Sequence, residues 1–139
     1  MGEVRQKVIL ENFVDYYLSK DGRIKEDEIR KVEVTALVDT GSTMLVLPQD
    51  IVERLGLKMI ESIIVTYADE RKEKRDVFGG VMVRIEDRMG NFDCVVGPPL
   101  SEPLIGQIVL EELDLVVDCK ENRLSPRPES PYLPLLKLK

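Results

Sequence analysis

Apolar residues along the chain recur mostly with period two, the pattern of strands buried on one face, and in two places with the wider spacing of a helix. From Val4 to Tyr17, the positions Val8, Ile9, Leu10, Phe13 and Val14 predict a strand or a broken pair of strands. Asp21-Gly22 is a turn signal, Arg23 to Glu28 reads as an exposed hairpin, and Ile29 leads into the next strand. There Val32, Val34, Ala36 and Val38 share one face, and by Leu37 the other face is apolar too, so burial on both sides is expected. That strand ends on a carboxylate, Asp39, followed by Thr40-Gly41-Ser42 and a second apolar run, Met44 to Leu47.

Pro48 to Leu55 predicts a short helix, with Pro48 in its first turn, Ile51, Val52 and Leu55 on one face, and Gly56 just past its end. Met59 to Tyr67 returns to strand, and the charged block Ala68 to Asp76 reads as the tip of a hairpin, either simply solvated or a flap over a ligand. Val77 to Ile85 is the return strand, where Gly79-Gly80 marks a bulge or a close backbone approach. Met89-Gly90-Asn91 is read as a turn, and Phe92, Cys94 and Val96 alternate on a strand ended by Gly97-Pro98-Pro99. Leu104-Ile105-Gly106 opens a second helix, Gln107 to Leu113, in which Ile105, Val109 and Leu113 recur at helical spacing. Leu115 to Val117 is a last strand, and Lys120 to Arg123 a turn. Four prolines follow Ser125 and exclude a helix from the tail, which is expected to be extended or partly disordered. Val34 to Leu55 and Val95 to Leu113 echo each other as strand, small-residue turn and short helix. These elements predict one mainly β domain over residues 1–124, a small closed β-barrel with two short helices, and a proline-rich tail over 125–139.

Composition narrows the function. A chain of 139 residues buries roughly two-thirds of its surface, enough for a core. A net charge of −6 argues against nucleic acid and against an anionic membrane surface as partners. No apolar run reaches transmembrane length, and Met1 to Arg5 lacks the apolar core of a signal peptide, so the expected address is cytoplasmic. Cys94 and Cys119 lie in apolar runs without metal-ligand spacing, which predicts buried reduced thiols and no metal site. Histidine is absent, which removes Ser-His and Cys-His nucleophiles and the usual zinc constellations. Acid–base chemistry, if present, falls first to carboxylates.

Asp is poor in strands and costly to bury unpaired, so Asp39 stands out. It is read either as a reactive carboxylate or as a turn-capping Asp. Asp118, which also follows an apolar strand, is read as a turn-starting Asp, and Tyr67 as strand packing or a cleft residue. The run Val38 to Ser42 also resembles that of aspartyl-phosphate enzymes, but the further Lys and Asp motifs they need are not matched, and no EF-hand spacing appears.

Apolar-apolar-Asp39-Thr40-Gly41-Ser42 before a short apolar strand, with Val96-Gly97-Pro98 and Leu104-Ile105-Gly106 downstream, resembles the retropepsin-like aspartic proteases over about Ile29 to Leu124. The resemblance implies an acid-protease barrel that works as a homodimer, because one motif per chain supplies half of a catalytic dyad. It implies Asp39 as the catalytic group, with Thr40 bonded across the dimer axis. Gly41 would allow close backbone approach, and Ser42 would donate to the outer oxygen of Asp39. Thr66-Tyr67-Ala68 would begin the flap, and Leu104-Ile105-Gly106 would pack behind the catalytic loop. The implied substrate is a peptide or unfolded protein, hydrolysed without a cofactor. A catalytically silent relative that only dimerises or binds peptides is the alternative. The charged flap tip and the long terminal sections depart from the viral pattern.

Overall fold

The computed structural model describes residues 3–138. Nine strands and three α-helices are described: β1 (Arg5–Asn12), α1 (Phe13–Lys20), β2 (Lys31–Val38), β3 (Leu45–Pro48), α2 (Gln49–Arg54), β4 (Lys58–Thr66), β5 (Lys72–Ile85), β6 (Arg88–Gly97), β7 (Leu104–Ile105), α3 (Gln107–Leu113), β8 (Leu115–Asp118) and β9 (Arg123–Pro126). Seven strands form one sheet in the order β1-β2-β7-β3-β6-β5-β4, and β1 pairs additionally with β5. The second half of β5 lies against β1 while its first half carries β4. The register against β6 slips between Phe78 and Val81, where Gly79-Gly80 sits, so the expected bulge is present.

Three helices replace the two expected. The run Phe13 to Tyr17 is helix α1 and not a second strand. Asn12 stops β1 and caps α1, its side chain accepting from Asp15 N at 3.0 Å. Asp15 then accepts from Arg30 N (3.0 Å), Nε (2.8 Å) and Nη2 (3.1 Å), which docks α1 beside the entry to β2. The guanidinium of Arg30 holds the Asp15 carboxyl below its ordinary range. A local cap outweighed the ambiguous apolar spacing. Asp21-Gly22 turns out of this helix, with Gly22 at φ +75°, and Glu26–Glu28 is a single 3₁₀ turn and not a hairpin. The turn expected at Met89 to Asn91 lies at Glu86-Asp87 instead, so those three residues belong to β6.

The core gathers one face of each strand with the apolar stripes of α2 and α3. Leu47, Leu55, Val81, Val83, Cys94, Ile105 and Val109 are fully buried in it. Cys94 is a buried free thiol, pushed by burial up to about 12. Cys119 corrects the sequence reading: it is free but exposed, in the turn after β8. Asp118 starts that turn as expected, accepting from Lys120 N and Glu121 N.

The tail is tied to the body through Asp114, the left-handed cap of α3. Its carboxylate accepts from Arg127 Nε (2.5 Å), Ser130 Oγ (2.5 Å) and Leu135 N (2.8 Å). Buried Arg88 completes the knot by donating through Nη1 to the carbonyls of Leu113 and Asp114 and through Nη2 to that of Ser130. No helix among the described residues is long and apolar enough to cross a membrane.

Candidate active site

Asp39 stands where β2 leaves the sheet, and backbone groups fix its placement. The two-residue strand β7 sits between β2 and β3, pairing Val38 with Ile105 and Val46 with Leu104. Asp39 N donates to the Ile105 carbonyl at 2.9 Å, and Ser42 N donates to the Asp39 carbonyl at 3.0 Å. Gly41 N donates to Asp39 Oδ1 at 3.0 Å. Behind the loop, the first two N–H groups of α3, Gln107 and Ile108, donate to the carbonyls of Ser42 (2.8 Å) and Thr43 (3.0 Å), satisfying donors that a helix start leaves unpaired.

Gly106 makes this approach feasible. A methyl group there would lie 2.5 Å from the Met44 carbonyl oxygen and 2.8 Å from that of Ser42, both rigid backbone atoms. At Gly41 the same methyl would meet only Asp39 Oδ1 at 3.4 Å, so nothing within one chain demands glycine there.

The Asp39 loop borders a cleft of about 710 Å³. Met44 just before β3, Val46 from β3, Ile63 and Val65 from β4, Val95 and Val96 from β6 and Leu104 from β7 give it an apolar lining. The β4–β5 hairpin contributes Thr66, Tyr67, Ala68 and Arg75. Of the residues singled out from sequence, the cleft brings together Asp39, Gly41, Ser42, Thr66, Tyr67, Ala68 and Leu104. Thr40 is exposed outside it, and Ile105 and Gly106 are buried behind the loop. The Ser42 hydroxyl donates to the Met44 carbonyl at 3.2 Å and not to Asp39, a difference from what the resemblance implies.

The charged hairpin carries a cluster that the sequence reading missed. Tyr67 Oη donates to Glu73 Oε2 at 2.7 Å, and Arg75 donates to Tyr67 Oη (Nε 3.2 Å, Nη2 3.0 Å) and to Glu73 (2.9 Å). The Arg71 guanidinium lies 4.5 Å from the Tyr67 ring centroid, a cation–π contact. The Tyr67 hydroxyl, followed by the Arg75 and Arg71 charges, holds the Glu73 carboxyl below its ordinary range. Alternation was the available signal: Glu73 and Arg75 are two apart and so share a strand face. Among the described residues no group of His, Cys, Asp and Glu could hold a metal ion.

Comparison with known proteins agrees with this geometry. Residues 22–109, well over half of the chain, match the family model described as aspartyl protease. The fold is similar to that of EIAV protease, solved in complex with the inhibitor HBY-793, with a TM-score of 0.54 at 13% identity over 81% of this chain and 88% of that one. No curated protein matches the chain.

Proposed function

We propose, from the premise that this chain belongs to the aspartyl protease family, that it is an endopeptidase whose two catalytic carboxylates are Asp39 from each of two copies. One observation carries this: among the described residues lining the cleft, Asp39 is the sole carboxylate. A single carboxylate cannot serve as base and acid in the same step. Two held a few ångströms apart share one proton, because like charges disfavour double ionisation. The ionised member takes a proton from water as its oxygen bonds to the peptide carbonyl carbon, and the protonated member gives its proton to the carbonyl oxygen. Collapse breaks the C–N bond, and the departing nitrogen takes up a proton. A two-fold axis beside Asp39 supplies the second carboxylate without further sequence.

Exposed Thr40 is then the residue free to bond across that axis. The glycine at Gly41 serves the approach of substrate or partner, since its own chain does not require it. Thr66-Tyr67-Ala68 closes over a peptide bound in extended form as an added strand. The β1–β5 pairing supports reading the sheet as a small closed barrel of the acid-protease type, with residues 1–124 as the proposed working domain and 125–139 as its tail. Free cysteines fit a cytoplasmic address.

The test is hydrolysis of an unfolded protein from acid to neutral pH by wild type and Asp39→Asn, with sedimentation of both. Expected is a dimer in each case and a loss of activity in the variant of about a thousandfold or more. Equal activity, or a strict monomer that hydrolyses, contradicts the reading. Peptide binding by both with turnover by neither supports the silent binding module instead.

A further inference from the structure

Arg75 lies where the cleft meets a second recess of about 380 Å³ bordered by Gln49, Lys74, Asp76 and Pro98, and it lines both. It and Asp39 are the only charged side chains among the described residues lining the cleft. The recess is also bordered by Lys74 and Asp76, whose charges offset each other, Asp76 accepting from the Ser62 hydroxyl at 3.0 Å.

The Arg75 side chain is held in place. Nε and Nη2 bond to Tyr67 Oη, and Nη2 bonds to Glu73, which lines neither recess. Nη1 has no hydrogen-bond partner among the described residues. A guanidinium held in one orientation with an open nitrogen is a donor suited to a carboxylate. Because the chain as a whole is acidic, with net charge −6, its long-range field does not gather anionic peptides, and selection by this basic spot is positional.

We propose that Arg75 is a specificity-determining residue that favours substrates with a glutamate or aspartate side chain a few residues from an apolar scissile pair. This rests on the peptidase reading of the cleft. Two copies about a two-fold axis place one Arg75 on each side of the bond, so the preference holds on both sides. Glu73 offsets part of the charge and the side chain is 31% exposed, which keeps the effect moderate.

The experiment uses end-blocked peptides with apolar residues at the scissile bond, paired so that they differ only as Glu or Gln at outer positions on either side. Wild type is expected to favour the Glu peptide about three- to tenfold in kcat/KM near neutral pH. The preference should vanish below about pH 4, where the substrate carboxyl is protonated. Arg75→Gln loses the ratio and Arg75→Lys keeps part of it, whatever the overall rate of either variant. Equal kcat/KM for the pair in wild type, or a ratio undiminished in Arg75→Gln, overturns the proposal. If no peptide is cleaved, the peptidase reading fails, and the Kd values of the same pair for Asp39→Asn decide: tighter binding of the Glu peptide supports Arg75 selection, and equal binding overturns it.

Discussion

The two sides of the cleft are built from different interactions. On the Asp39 side, backbone holds backbone: β7 wedged between β2 and β3, helix N–H groups on the Ser42 and Thr43 carbonyls, and a glycine pressed onto the loop. On the hairpin side, Tyr67 is held by exposed or half-exposed Glu73, Arg75 and Arg71. Buried backbone contacts tolerate little displacement and are indifferent to salt. Exposed charged contacts are individually weak and screened within about 10 Å at ordinary ionic strength. Asp39, the proposed catalytic carboxylate, is thus set in the stiff half of the cleft, and the hairpin proposed to open for a peptide lies in the adjustable half.

The largest expected effect comes from disturbing the stiff side. Gly106→Ala puts a methyl group against two fixed carbonyls and should cost about 2–3 kcal/mol of stability, read by denaturant melting, as overpacking in a rigid site does. A neutral outcome would mean that the loop yields, and the contrast between the two sides would collapse.

Acid provides the second probe. Arg127, then Ser130 and the Leu135 N–H, hold the Asp114 carboxyl well below the usual carboxylate range. A carboxyl whose folded pKa is depressed stabilises fully above its unfolded value of about 4 and loses that contribution as pH falls through the folded value. The tail anchor behind α3 should therefore stay closed at mildly acid pH and open only in stronger acid. Limited proteolysis within residues 127–138 reads this directly, and cutting that rises already near pH 5 would contradict it.

The smallest effect is expected on the adjustable side. Tyr67→Phe removes the hydroxyl that joins Glu73 to Arg75 and should leave the thermal midpoint nearly unchanged while raising KM a few-fold. High salt, which screens the direct Arg75–Glu73 pair, should loosen the hairpin further in both wild type and variant.

Much of the stiff side was legible in sequence because it rests on local, directional signals. The apolar strand before Asp39, the small residues after it, and Gly106 ahead of a helix each carry a backbone requirement, whereas Leu104-Ile105 is strand β7 and not the start of that helix, and Leu37 and Val38 are half-buried and not buried on both sides. Helix α1 was not legible, since Phe13, Val14 and Tyr17 suit a strand as readily, and the decision fell to one capping side chain, Asn12, and a distant partner, Arg30. The turn at Glu86-Asp87 was missed because Gly90 offered the stronger local signal, although it sits inside β6 opposite Val83. The knot on Asp114 joins residues far apart in the chain through Arg88, Arg127 and Ser130, and no periodicity announces such a contact.

The central claim is that one folded chain holds half of the catalytic site. Mixing wild type with increasing Asp39→Asn, after unfolding and refolding the two together, tests it most directly. If two copies share the dyad, activity per wild-type chain falls in proportion to the wild-type fraction, because mixed dimers hold a single aspartate. Activity per wild-type chain that stays constant at every ratio would place the complete site within one chain and contradict the account.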